Sequence, residues 1–297
     1  MANPIRILLQ TTIPPVEDDW HIGRFSQLRD YLAKLQDETG HPLYQVTARD
    51  REEDAQGHDR VLSDLDRSQF DQLWLFAVDV GEGLTEKDCQ GITRFRQQGG
   101  GLMVTRDHQD LGSSLCYLGG IAAAHYFQTR NPDPDPSRHC VDDTCTTYIS
   151  WPNYHSGSNG DYQPIQVLDP IHPVLKNPAA PNGVIEFFPA HPHEGGIGVP
   201  PGDVSARVIA KGTSKVTGRD FNLVVAFESS QDDQGHQLGR GIAQSTFHHF
   251  CDYNWDTRLG CPSFVSEPPS DRIHNTPRAI DDIHTYVRNL AQWLTPT

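Results

Sequence analysis

Basic side chains are scarce in this 297-residue sequence: 24 lysines and arginines stand against 39 aspartates and glutamates, a formal net charge of −15. A surplus of that size repels nucleic-acid phosphates and anionic bilayers and favours solubility, so no nucleic-acid or membrane partner is expected. Long apolar runs are also lacking, and no stretch reaches the ~20 residues of a bilayer span. The first residues, Met1-Ala2-Asn3-Pro4-Ile5-Arg6, lack the basic region and apolar core of an export signal. These absences point to a soluble, cytoplasmic protein. Cysteine is sparse, with six in the chain, and without export Cys89, Cys116, Cys140, Cys145, Cys251 and Cys261 read as mostly reduced thiols. Cys140 and Cys145, with His139 beside them, have a C-x4-C spacing, but no second pair is there to complete a zinc site, and free thiols are the favoured reading.

At this length the chain can bury a sizeable core, and one large α/β domain over residues 1–297 is expected. Residues 5–10 read as a buried strand and 23–35 as a helix, with Phe25, Leu28, Tyr31, Leu32 and Leu35 on one face. The loop between them is long enough to reach over a site. Residues 44–47 form a second strand, and the continuous apolar run 73–79 suits a central parallel strand covered on both faces. Gly81-Glu82-Gly83 follows, and Thr85 with Asp88 three residues later opens a helix to Gln98. Three glycines then lead into a third apolar run, and 111–126 reads as a helix broken at Gly119-Gly120. Between 130 and 201 the texture changes: 13 of the 22 prolines lie there, which marks an irregular insertion. Within it, residues 150–157 read as a packed surface loop or as a lid or sugar-binding loop. Strands resume at 206–210, 222–227 and 241–247, a hairpin link occupies 229–239, and 280–294 is an amphipathic closing helix.

The stretch Gly99-Gly100-Gly101-Leu102-Met103-Val104-Thr105-Arg106-Asp107-His108-Gln109 resembles the Gly-Ile-Cys-x-Gly-His-Gln elbow of class I glutamine amidotransferases. His108-Gln109 overlay its His-Gln pair, and Thr105 falls at the nucleophilic cysteine. Met103 and Asp107 stand where the elbow has glycines, and neither side chain suits its strained turn. Leu168-Asp169-Pro170-Ile171-His172-Pro173-Val174 is similar to the Asp-His-Pro-Ile segment of ThuA-like trehalose-utilisation proteins, an amidotransferase-like family whose Gly-Gly-Gly-Leu motif also matches residues 99–102. Val224-Val225-Ala226-Phe227 and Gly239-Arg240-Gly241-Ile242-Ala243 resemble its paired closing strands. The last strand ends Phe247-His248-His249-Phe250 where amidotransferases have Phe-His-Pro-Glu, so His248 overlays the triad histidine and Phe250 replaces the glutamate.

This resemblance implies a flavodoxin-like three-layer α/β sandwich with a mostly parallel central sheet, an antiparallel closing hairpin and a long irregular insertion at about 130–201. It implies the scaffold without glutaminase chemistry. In that family the loop after the strand equivalent to 73–79 supplies backbone N–H groups to an oxyanion, a role open to Gly81 and Gly83, although a glycine-eased turn accounts for the same residues. ThuA-like proteins are linked with sugar metabolism, so a small polar or sugar-derived molecule is the expected ligand.

Imidazole and carboxylate are concentrated where strands should end. Arg106, Asp107, His108 and Asp110 follow one strand; His191, His193 and Glu194 share an irregular segment; His248, His249 and Asp252 close another strand. Asp107, His108 and His248 are the candidate catalytic residues, the histidines as acid/base groups. His191, His193, Glu194 and His249 are candidate ligands for a divalent metal such as zinc, because His-x-His in an extended segment lets two imidazoles point the same way. A metal site, catalysis without metal, and chance clustering among 15 histidines all stay open. Cys116 and Cys251 lack a nucleophile elbow. An enzyme and a non-catalytic binding or assembly module both fit, and a homo-oligomer is compatible with either.

Overall fold

The computed structural model describes residues 3–142, 146 and 148–296. Cys145 lies outside the described residues. Eight strands form the main sheet: β1 (Ile5–Thr11), β2 (Tyr44–Arg49), β3 (Gln72–Phe76), β4 (Gly101–Thr105), β5 (Gln166–Val167), β6 (Ala206–Thr213), β7 (Asp220–Phe227) and β8 (Gly241–Gln244). Their order is β2-β1-β3-β4-β8-β7-β6-β5. The first five of that order run parallel and the last three continue antiparallel. The parallel half has the strand order of a flavodoxin-like sheet.

Alternation along the strands buries both faces. Ile7, Leu9, Trp74, Phe76 and Met103 join one core, which includes Leu28 and Leu32 of α1 (Ser26–Lys34) and Ile283, Tyr286, Val287 and Leu290 of the later helix Pro277–Trp293. Leu8, Leu73, Leu75, Leu102 and Val104 join the other, which includes Ile92 and Phe95 of α2 (Glu86–Gln97). The result is the expected three-layer sandwich. A capping box starts α2: the Thr85 hydroxyl accepts the Asp88 N–H while the Asp88 carboxylate accepts the Thr85 N–H. Two further α-helices follow β8, the single turn α3 (Asp252–Trp255) and α4 (Pro277–Trp293). Among the described residues no helix is long and apolar enough to cross a membrane.

Register places the future site. Thr11 pairs with Phe76, Phe76 with Thr105, and Thr105 with Gln244. Four parallel strands therefore end level, and the loops that leave them emerge side by side at the carboxyl edge, the usual ligand edge of such sheets.

Three elements differ from the sequence reading. Residues 111–126 are not an α-helix but two 3-10 turns, Ser113–Tyr117 and Gly120–Ala124, followed by the short strand His125–Tyr126. Three glycines at positive φ, Gly112, Gly119 and Gly120, break the run into pieces too short for an α-helix, while the Asp79 carbonyl accepts the Gly112 N–H and its carboxylate accepts both the N–H and hydroxyl of Ser114. Those donors belong to the first turn, and Gly112 reaches Asp79 with a φ of 85° that favours glycine. Next, the stretch 130–201 is not wholly outside the sheet, since β5 forms its last strand against β6. Finally, β8 stops at Gln244 because the Thr246 hydroxyl accepts the His248 N–H and opens a 3-10 turn, Phe247–His249.

Candidate functional site

Asp107 leaves the end of β4 with its carboxylate buried among imidazoles. His108 Nδ1 lies 3.1 Å from it, and His191 Nδ1 and His248 Nε2 each lie 3.7 Å away. These groups, with His193, line a cavity of about 280 Å³ at the carboxyl edge. His108, His191, His193 and His248 are thus brought together from three separate segments. The His191–Glu194 segment is tied down at both ends: Ser156 N–H donates to the His191 carbonyl, and Gly195 N–H to the Ser245 carbonyl. Gly195 is required there, since a Cβ would fall 2.5 Å from the Asp107 carbonyl and 2.7 Å from that of Ser245.

A hydrogen-bond chain fixes the tautomer of His248. The Asn254 amide nitrogen donates to the Ala190 carbonyl at 2.9 Å and to Asn159 Oδ1 at 3.0 Å. A backbone carbonyl can only accept, so the Asn254 oxygen is the atom facing His248 Nδ1 at 2.8 Å, and Nδ1 carries the hydrogen. In the neutral ring, His248 Nε2 then presents its lone pair to the Asp107 carboxylate. At 3.7 Å the two are too far apart to hydrogen-bond, yet close enough for one ion bonded at about 2.0–2.2 Å to each to lie between them. Asp107, His191 and His248 each offer one ligand atom within 4.8 Å of the others. Two imidazoles and a carboxylate form a recognised set for first-row divalent ions.

Electrostatics sharpen the picture. Burial alone would raise the Asp107 carboxyl, but the His108 imidazole 3.1 Å away, by charge and hydrogen bond, outweighs it and holds it well below the ordinary carboxylate value. Burial pushes His191 well below the usual histidine value, which leaves the ring neutral, with Nδ1 facing both Asp107 and the His193 N–H. His193 Nε2 meets Glu267 at 3.0 Å, and that contact, outweighing burial, holds the Glu267 carboxyl down at about 2.

Other residues expected at the site are placed elsewhere. Glu194 and His249 pair with each other at 3.1 Å in a network behind the cavity. Glu194 also accepts from Ser156, Gln163 and Ser245, and Gln244 occupies the other nitrogen of His249. Neither reaches the cavity because every face they offer is already bonded. Gly81 and Gly83 are not among the residues lining the cavity: the Gly81 N–H donates to Asp79 at 2.7 Å, the Gly83 carbonyl accepts from Arg51, and a Cβ on Gly83 would strike the Asp79 carboxylate. Thr105 is the last residue of β4 and is buried, with no hydrogen-bond partner for its hydroxyl. Among the described residues, the non-glycine residues at left-handed φ are Gln109 and Asn131, so Thr105 sits on no strained elbow. Phe250 packs in the core against Trp74, Phe76 and Tyr286. Cys251 is fully buried and its thiol is pushed up by that burial; burial likewise pushes Cys116 up to about 11. Trp151 and Tyr154 donate to the Arg138 carbonyl as packing residues, and the next aromatic upstream, Tyr148, lines the cavity instead.

The loop after β1 does reach the site, where Trp20 sets its ring edge-on to His248 with centroids 4.7 Å apart. Asn254 and Glu267 were not singled out from the sequence. Asn254 carried a faint signal, an amide between Tyr253 and Trp255 in a turn otherwise fit for a core. Glu267 stands in a proline-rich stretch that gave none.

No protein-family model matches the sequence, and no curated protein matches it. Solved structures do. The N-terminal domain of mmIFT52 matches at a TM-score of 0.50 and 13% identity over 98% of both chains, a likeness of fold alone. A ThuA-like protein from Parabacteroides merdae matches at 0.48 and 15% identity over 99% of this chain and 90% of its own. The glutaminase domain of Trypanosoma brucei CTPS, with bound acivicin, matches at 0.46 and 11% identity over 99% of this chain and 95% of its own.

Proposed function

We propose that Asp107, His191 and His248 hold a first-row divalent ion, with zinc the leading candidate, and that the protein is a metal-dependent hydrolytic enzyme for a small polar substrate. The observation that carries this reading is the orientation of His248, whose Asn254-fixed ring turns a lone pair toward a carboxylate that also only accepts. Two acceptors so placed repel unless a proton or a metal ion lies between them, and at 3.7 Å the gap is wider than a proton-sharing pair and fits an ion. When bound, such an ion supplies Lewis acidity and a more acidic water. The chain's own part is then to position and to move protons. His108, beside Asp107 and facing the cavity, is the acid/base candidate. Asn254 and Asp107 orient the rings, and Trp20 shields them from water.

Glutaminase chemistry is not part of this reading. A threonine hydroxyl at position 105 lacks thiolate nucleophilicity and would need an organised base. The second reading, a non-catalytic binding or assembly module on the same amidotransferase-like fold, draws on that missing elbow. A sugar-derived substrate remains compatible with the first.

Elemental analysis of tag-free protein tests the proposal. About one equivalent of metal is expected, lost in Asp107→Asn and His248→Gln. Metal-free protein showing no thermal shift with zinc, manganese or nickel overturns it. Chelator-sensitive hydrolysis of small esters or amides supports the enzyme; bound metal without turnover of such compounds favours the binding module.

A further inference from the structure

Resting on the reading of this cavity as a substrate site, we infer that its substrate carries no negative charge: it is an uncharged or cationic small molecule with an apolar face. Three carboxylates, Asp19, Asp107 and Glu267, line the cavity, and among the described residues no lysine or arginine does. The nearest cation by sequence, Arg106, is turned away. Its guanidinium donates to the Tyr126 carbonyl at 2.6 Å and to the Gln109 carbonyl, and lies 4.1 Å over the Phe127 ring. With the imidazoles neutral and a divalent ion in place, three carboxylates leave the cavity one negative charge in excess. The net charge of −15 adds to that field. An anion entering here meets no guanidinium or ammonium partner, whereas an amine meets carboxylates and a neutral amide or ester pays little electrostatic penalty.

The mouth supplies the apolar half of the argument. Tyr148 and Val80 are each 77% exposed and Phe264 59%, and all three border the same opening, with buried Trp20 forming a wall inside it. Exposed apolar side chains scattered singly need no explanation, but several on one rim offer area to be covered by a ligand. Deep polar groups beneath an aromatic rim suit a molecule with a planar or aliphatic face and one polar end.

Calorimetric titration of the metal-loaded protein near neutral pH with benzylamine, benzamide and benzoate tests this directly. The three share a ring and a one-carbon substituent, and they are cationic, neutral and anionic. The amine or the amide should bind about tenfold tighter than benzoate or better, a difference of ~1.4 kcal/mol. Asp19→Asn, at a partly exposed loop position whose acceptor oxygen an amide retains, should narrow the gap between benzylamine and benzoate, and so should Glu267→Gln. Benzoate binding as tightly as the other two, an unchanged gap in both variants, or no binding of any probe overturns the inference. Metal content of the same preparation separates the two claims. Metal-bound protein that prefers benzoate sinks only the charge inference, and metal-free protein that prefers the amine sinks only the metal reading.

Discussion

The imidazoles of His191 and His248 lie stacked, with centroids 3.5 Å apart and planes 14° from parallel. Two charged rings could not stand so close in a buried site, and burial above all keeps His191 unprotonated. The His193 N–H donates to His191 Nδ1 at 3.1 Å, a bond that a cation taking that lone pair would displace. The stack lays its edge along the Asp107 carboxylate, so a cation held there would neutralise an anion that the rings alone only partly compensate.

Asn254 should matter more than its distance from the cavity suggests. Asn254→Ala leaves His248 Nδ1 and the Ala190 carbonyl without their partners, a cost of ~1–3 kcal/mol in unfolding free energy. It also frees the His248 ring to turn, and metal affinity should fall ~10–100-fold. Urea unfolding and zinc titration measure the two separately. Unchanged affinity would remove Asn254 from the argument.

Acid should destabilise the protein before its carboxylates titrate. Burial first, then Arg106, pushes His125 down to about 4; burial first, then Arg207 and Arg240, does the same to His172. As pH falls below ~6.5 the unfolded chain binds protons that the folded chain refuses until about 4, so stability drops through that window and is fullest above it. His172→Phe should flatten part of the slope. Unfolding free energies at several pH values in this window check it, and a slope of the opposite sign would show these rings to be charged in the folded protein.

Glu267 acts in a lower window. Its carboxyl, held at about 2 mainly by His193, lies below the unfolded value of ~4.3, so its contribution is present above ~4.3 and is lost as pH falls toward 2. Comparing wild type with Glu267→Gln across that range should show the loss in the wild type alone.

Thr105 offers a test of the elbow. Its hydroxyl is buried without a partner, so Thr105→Val should be neutral or stabilising by up to ~1 kcal/mol, and neither protein should release ammonia from glutamine. Ammonia release lost in the valine variant would restore a nucleophile at this position.

Much of the fold could be read locally, and the reason is visible in particular elements. The apolar run of β3 and the helical period of α4 carry their own burial pattern, and the level ends of β4 and β8 bring the segments holding His108 and His248 side by side. The stretch 111–126 misleads because Gly112, Gly119 and Gly120 all take positive φ and leave no run long enough for an α-helix. Glu194 and His249 mislead for a different reason. Both have the right chemistry and the right neighbours in sequence, but which imidazole faces the cavity depends on Gln163, Gln244 and Ser245 meeting behind it. Such choices are made by tertiary packing, and no spacing rule encodes them.

That network supplies the last prediction, which separates a ligand from a scaffold residue. Tyr286 donates its hydroxyl hydrogen to Gln244 Oε1, which orients the Gln244 amide nitrogen toward His249 Nδ1; His249 therefore carries its hydrogen on Nε2 and donates it to Glu194. Glu194 is fully buried and accepts from four side chains. Glu194→Gln keeps the shape but turns one acceptor into a donor among donors, and unfolding free energy should fall by ~1–3 kcal/mol. Metal stoichiometry should stay near one equivalent, since the ligand atoms of Asp107, His191 and His248 are untouched. His248→Gln should do the reverse, abolishing metal binding with the smaller loss of stability. Elemental analysis beside urea unfolding on the two variants decides the matter: metal lost from Glu194→Gln while its fold and stability are retained would make Glu194 a ligand after all.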